Sequence, residues 1–199
     1  NWLADAPDRG CAIDIGRTGL SGRRIFVYAG NMGVAQQMDK LLGLAAAMRD
    51  RSDIGFLFVG RGSEAQRLRD LAARDALDNV LFFDEISPDE IPGLYRQCHV
   101  GMISLDCRHR THNIPGKFLT YMQSGLPTLA SINDGNDLKT LVETRGVGRV
   151  SVDPDGHDLP GLAAAMMENE IVDPAMRDRC RDLSDELFSA RAAVRQIVE

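Results

Sequence analysis

The sequence predicts an α/β domain built on a doubly wound, mostly parallel six-stranded sheet. Three observations carry this. Short β-branched or aromatic runs alternate with helix-period segments along most of the 199 residues. The run Ile54-Gly55-Phe56-Leu57-Phe58-Val59 is almost wholly apolar, as a strand covered on both faces requires. Helical crossovers between strands impose parallel pairing with helices on each side of the sheet.

Arg24-Ile25-Phe26-Val27-Tyr28-Ala29 reads as the first strand. Val34 to Met48 follows as a helix, with Met38, Leu41, Leu42, Ala45 and Met48 at helical spacing. After the second strand, Ser63 and Gln66 form a capping-box pattern before Leu68, Leu71 and Ala72. Val80-Leu81-Phe82-Phe83 is the third strand, and Ser87-Pro88-Asp89-Glu90 is a second capping box with Pro at the first helical position. The fourth strand is Val100 to Leu105, and a helix from about Pro115 to Ser124 ends at Gly125. Pro127 opens the fifth strand, through Ser131, and Asn133 or Asp134 is placed to cap the next helix. Gly148 to Val152 is the sixth strand, Asp158 starts another helix, and Asp173-Pro174 caps a last helix running to Ile197. The domain is expected over residues 22–199. Residues 1–21, rich in Gly, Asp and Arg without period, read as an inter-domain linker remnant or a frayed end. With Asn1 rather than Met at its start, the chain reads as a piece of a longer one.

Composition excludes several classes. Hydrophobic residues at 44% and charged residues at 26% argue against disorder. No apolar run approaches the roughly 20 residues of a membrane span, and Asn1 to Asp5 lack the pattern of a signal peptide. The net charge is −6, from 23 basic and 29 acidic residues, which disfavours duplex nucleic acid as a partner. Cys11, Cys98, Cys107 and Cys180 are scattered, as reduced thiols in a cytosolic protein would be. The location expected is cytoplasmic, extending to the inner face of the cell membrane for the full-length protein.

A ligand in such a sheet sits beyond the carboxyl ends of the strands, where the strand order reverses. Four loops leave those ends. Ala29-Gly30-Asn31-Met32-Gly33 offers amides that an anion could approach, or is a plain turn. Gly60-Arg61-Gly62-Ser63 carries an Arg suited to a phosphate or a base, or one merely solvated. Phe83-Asp84-Glu85-Ile86 offers backbone groups to a base edge, or is an ordinary turn. The fourth, Arg108 to Lys117, gathers three fixed cations and two histidines in an acidic chain. Lys117 falls in the first turn of a helix, against the dipole preference for anions there. An anion held between its ammonium and the free amides resolves that conflict; a solvated basic loop is the alternative. Cys107, His109 and His112 lack a fourth ligand, so no metal site is expected. There is no nucleophile elbow and no Walker-type phosphate loop.

These motifs together resemble the C-terminal, donor-binding half of GT-B fold glycosyltransferases of the large family-four group. The likeness is greatest to the bacterial surface-polysaccharide and lipopolysaccharide branch. Asn1-Trp2-Leu3-Ala4-Asp5 is similar to that branch's Pro-Asn-Trp-Ala-Asp. Tyr28 to Gly33 with Gln36 resembles its first strand and Gly-Asn-x-Gly loop, and Gly60-Arg61-Gly62 its Gly-x-Gly. Ile114 to Pro127 is similar to its Pro-Ser-Lys-x-x-Glu-Tyr-Met-x-x-Gly-x-Pro signature. The resemblance implies a Rossmann-like half of a GT-B fold that transfers a sugar from a nucleotide diphosphate sugar, a UDP-sugar being favoured. The acceptor is a polysaccharide or a lipid-linked molecule, with retention and without metal or other cofactor. Gly33 and the Asn113–Gly116 stretch (Asn113, Ile114, Pro115, Gly116) would face the diphosphate, the donating amides being those of its non-proline residues. Lys117 and Arg61 would meet its charge, Gly30, Asn31, Gln36 and Gly60 would line the donor site, and Glu85 would lie near the base. Thr120 would lie near the ribose or sugar. His112 and Thr120 stand where many members have glutamates, and Asn31 and Gln36 where many have Arg and Lys. The partner implied is the missing N-terminal, acceptor-binding domain, without which the fragment would be inactive; membrane contact would come only through that half. Rival readings are an NADP-dependent oxidoreductase domain, a non-catalytic nucleotide-binding module and a sugar-nucleotide epimerase. The first lacks a full Gly-x-Gly-x-x-Gly, with Tyr28 and Gln36 at two glycine positions.

Overall fold

A computed structural model describes residues 10–106, 108 and 114–188. Six strands, β1 (Arg24–Ala29), β2 (Ile54–Val59), β3 (Val80–Phe83), β4 (Val100–Ser104), β5 (Thr128–Ser131) and β6 (Gly148–Ser151), form one sheet. Its order is β3-β2-β1-β4-β5-β6 and every pair is parallel. The helices are α1 (Asp39–Ala47), α2 (Ala65–Arg74), α3 (Ile91–Tyr95), α4 (Gly116–Gln123), α5 (Asp137–Arg145), α6 (Leu159–Glu168) and α7 (Met176–Leu187). This is the doubly wound α/β architecture expected from the alternation.

Strand alternation divides the core in two. Ile25, Val27 and Ala29 of β1 face one side, with Leu57 and Val59 of β2 and the buried residues of α3, α4, α5 and α7. Phe26 and Tyr28 face the other, with Phe56, Phe58 and the buried residues of α1, α2 and α6. Successive strand side chains point to opposite faces, so a central strand with a core on each side must be apolar throughout.

Several helix starts differ from expectation, each for a local reason. The segment after β1 is not one helix: a 3-10 turn, Val34–Gln36, precedes α1, and between them Gln37 takes a left-handed conformation at φ 44°. Ser63 does not cap α2: the helix starts one residue later, with Glu64 at the N-cap position and no side-chain cap, while the Ala65 amide donates to Gly62 O at 3.2 Å and the Glu64 amide to Met32 O at 3.0 Å. Asn136, rather than Asn133 or Asp134, caps α5 by accepting from the Leu138 amide. Asp158 accepts from the Ser151 hydroxyl instead of capping α6. The Ser87–Glu90 capping box is present as drawn from sequence. Residues 10–21 are packed rather than frayed: Ile13, Ile15 and Leu20 are buried in the first core. The part of the last helix beyond Phe188 lies outside the described residues.

At the amino edge of the sheet, His99 joins β1 to the entry of β4. Its amide donates to Ile25 O at 2.9 Å, and its Nδ1 accepts from the Ile25 amide at 3.0 Å. Burial, helped by Arg24 and Arg177, pushes the imidazole down to about 4, so the folded chain keeps it neutral. The unfolded chain takes up a proton below the ordinary value of 6.5 and the folded chain does not until about 4. Stability is therefore undiminished above pH 6.5 and falls as the pH drops toward 4. His99→Gln should reduce the loss of unfolding free energy between pH 6.5 and 4 by on the order of 2 kcal/mol after discounting for partial exposure, flattening Tm against pH. Parallel slopes for both proteins would show that His99 is not its source.

Candidate functional site

The sheet opens where its order reverses. β1 pairs with β2 over six positions, but with β4 only through Phe26↔Val100 and Val27↔Gly101. Beyond those pairs the side chain of Tyr121, from α4, enters between the strands. Its hydroxyl donates to Met102 O at 3.0 Å and also approaches Val27 O at 3.3 Å. Its ring occupies the space over Gly101, where a Cβ would stand 2.5 Å from ring atoms. A glycine in β4 is thus what lets α4 sit this close to the sheet.

The loops after β1 and β2 interlock through glycines. The Gly30 amide donates to Val59 O at 2.8 Å, and the Met32 amide to Arg61 O at 2.7 Å. Gly60 has φ +146°, and a Cβ there would stand 2.0 Å from Gly30 O. At Gly30 a Cβ would fall 2.8 Å from Lys117 Cε and 2.9 Å from Nζ. The Lys117 side chain therefore lies in the space that the missing Gly30 side chain leaves.

α4 begins at Gly116, after Pro115, with no side-chain cap. Its leading amides have no acceptor within the helix and are aimed at its open end. Lys117 Nζ sits 4.7 Å from the centroid of the Tyr28 ring, against the ring face. Burial holds the pKa of this ammonium below its usual value. Thr120 bonds back to Lys117 O at 2.9 Å, locking the first turn.

A cavity of about 300 Å³ lies at this opening. It brings together six of the residues singled out in the sequence: Gly30, Gly60, Glu85, Gly116, Lys117 and Thr120. Arg61 stands outside its lining, 80% exposed at the side chain, and forms an ion pair with Glu85 at 2.9 Å. Asn31, Gly33 and Gln36 form a closed cluster instead: Gln36 Oε1 accepts from the Gly33 amide at 3.0 Å and from Asn31 Nδ2 at 3.1 Å. The Gly33 amide expected to face an anion is thus engaged by Gln36. Ile114 packs against the first core and Pro115 leads into α4. Asn113 and His112, with Cys107 and His109, lie outside the described residues.

Sequence reasoning missed most of the apolar half of the cavity: Val59, Pro88, Ile91 and Tyr95 line it beside Ile86 of the third loop. Their signal was present, since Val59 ends β2 and the Ser87 capping box fixes where α3 points. A slot with one apolar wall and one cationic wall suits a flat ring joined to an anion.

The family model for glycosyl transferases group 1 matches residues 23–168. Among curated proteins, the putative colanic acid biosynthesis glycosyl transferase WcaI of Escherichia coli K12 is 24% identical over 178 residues, 88% of this chain and 42% of that one. The probable glycosyltransferase WbjE of Pseudomonas aeruginosa is 22% identical over 127 residues, 64% of this chain and 32% of that one. The chain therefore spans less than half the length of either relative. Among solved structures, Anabaena Alr3699/HepE in complex with UDP superposes with a TM-score of 0.75 at 16% identity, covering 90% of this chain and 49% of that one.

The glycine interlock is testable apart from any ligand. Gly60→Ala should destabilise the chain by roughly 3 kcal/mol or more, through both the positive φ and the clash with Gly30 O. Gly43→Ala in α1, where a Cβ meets nothing within 4 Å, should stabilise it by about 0.5–1 kcal/mol. Equal effects in urea unfolding would contradict the interlock.

Proposed function

The chain belongs to the glycosyl transferases of group 1, and from that premise we propose that its crevice is the donor site of a sugar transferase taking a nucleotide diphosphate sugar. The observation that carries this is Lys117. A half-buried ammonium is held at the open start of α4, beside uncapped amides and against Gly30. A diphosphate placed there gains the ammonium and the helix end together. As the sugar leaves, negative charge grows on the outer phosphate oxygens, and Lys117 with the Gly116 and Lys117 amides stabilises it.

The base is assigned to the apolar wall near Glu85 and Ile86, and the ribose or sugar to the neighbourhood of Thr120. Thr120 offers a hydroxyl where a carboxylate would grip two ribose hydroxyls, so the hold there is the weaker one. Arg61 is a rim cation that must leave Glu85 to reach a phosphate. A UDP-sugar is the favoured donor, which the UDP complex of Anabaena Alr3699/HepE supports. The acceptor proposed is a growing polysaccharide or lipid-linked glycan, supported by the colanic acid biosynthesis that WcaI is named for. Transfer is proposed to proceed with retention and without a metal. The acceptor is assigned to a second, N-terminal domain, for which the unmatched length of the relatives leaves room. A cytoplasmic location is part of the same reading. Among the described residues no helix is long and apolar enough to cross a membrane.

Thermal-shift titration of the 199-residue chain with UDP, GDP and NADPH tests the reading. UDP should raise Tm with concentration, as a ligand of the native state does. A response to NADPH alone would overturn it. Lys117→Ala should weaken UDP binding by about 1.5–3 kcal/mol, the size of a charged hydrogen bond. With the N-terminal half restored, release of UDP from a UDP-sugar in the presence of acceptor is the measure of transfer.

A further inference from the structure

A second cavity, of about 560 Å³, opens between the start of α1 and the loop joining β6 to α6. Gln37, Lys40 and Leu44 line one side; Asp155, Gly156 and His157 line the other. It shares no lining residue with the crevice.

Two buried polar groups meet there with unfilled bonding. Lys40 is only 8% exposed. Among the described residues its Nζ makes one long hydrogen bond, 3.4 Å to Ser131 Oγ, and no ion pair. An ammonium carries three donors, so this one is desolvated without being satisfied. Gln37 Oε1 is closed off from solvent and accepts from no partner. A buried cation and a buried acceptor thus line one cavity, each lacking what the other type of group would supply. Asp39 does not neutralise Lys40, because both of its oxygens are taken by Arg67 at 2.7–2.8 Å.

The surroundings are fixed before any ligand arrives. Ser104, Ser131 and Ser151 stand in register at the ends of β4, β5 and β6, all buried. Ser104 donates to Gln37 O at 3.3 Å, Ser131 accepts from Lys40, and Ser151 donates to Asp158. The far wall is held by Asp153, whose carboxylate accepts from the Asp155 and His157 amides at 3.0 and 2.9 Å.

We propose that this cavity is a second ligand site, for a small hydroxylated oxyanion of the sugar-phosphate class. The phosphate meets Lys40, the Gln37 side chain turns its Oε1 outward to accept from a hydroxyl, and the exposed Asp155 and His157 receive the remaining hydroxyls at the rim. The volume lies within the range of small-molecule sites. The proposal does not rest on the reading of the crevice.

The test is residue-resolved amide NMR of the 199-residue chain, titrated with glucose 6-phosphate with and without UDP. Amides of Gln37–Gly43 and Asp155–Asp158 should shift in both series, and Lys40→Gln should weaken the affinity at least tenfold. Gln37→Glu keeps the side-chain shape and places a negative charge in the cavity, so it should weaken binding at least as much. It decides the matter if Lys40→Gln fails to fold. Shifts confined to Gly30–Gly33, Gly60 and Gly116, no shift at millimolar ligand, or unchanged affinity in a folded variant would each overturn the site. Inorganic phosphate should bind more weakly than glucose 6-phosphate; equal affinity would overturn the part assigned to Gln37.

Discussion

The structure depends on a parting of two strands. Parallel strands pair along their whole length unless something prevents it, and here β1 and β4 hold only two pairs. The Tyr121 phenol fills the gap, donating to Met102 O of β4 and lying within 3.3 Å of Val27 O of β1. Those carbonyls would otherwise be short of donors at the point where sheet pairing ends. Gly101 is the counterpart, since any side chain there would collide with the ring. The crevice is therefore not a leftover between loops. It is opened by a buried hydrogen-bonded wedge, and the same wedge sets α4, and with it Lys117, against the strand ends.

That geometry explains why the strands were so legible in the sequence and the helix starts were not. A strand with a packed core on each face must be apolar at every position, and β1, β2 and β3 fall at the residues read from the sequence. A helix start is settled by whichever acceptor reaches the first amides. For α2 the backbone of Gly62 takes the Ala65 amide and Met32 O takes the Glu64 amide, and the local pattern around Ser63 announces neither. For α5 three candidate side chains lie within four residues, and packing selects Asn136. Residues 10–21 lack a period because they run across the edge of a core rather than along it, so only Ile13, Ile15 and Leu20 are committed to the interior.

The site divides in the same way. The conflict at Lys117, a cation in the first turn of a helix, was readable without coordinates, and the chain meets it by folding the ammonium back over Tyr28. The role of the first loop was not readable. Asn31 and Gln36 are neutral. They turn toward each other and toward the Gly33 amide, making a neutral, self-satisfied turn. With that loop closed, the proposed anion contact rests on α4. The glycines at 30 and 60 act by leaving room for Lys117 and for each other's backbone, not by offering amides.

The distribution of cations supports the same division of labour. The chain has three lysines among its 23 basic residues, the rest being arginines. Ten described arginines are paired with carboxylates. Most of these pairs are exposed, so each contributes little to stability, but together they cancel charge over an acidic surface. Lys40 and Lys117 differ: both are withdrawn from water beside a cavity, and among the described residues neither has a carboxylate partner. An ammonium is compact and strongly hydrated, so placing it unpaired in a pocket is unfavourable unless an external anion visits. A planar guanidinium would find partners on the pocket walls more readily and would be a poorer sign of a ligand. Among the described residues these two ammoniums are thus the lysines withdrawn beside cavities, one at the parted strands and one beyond the serine row, which is the observation behind both proposed sites.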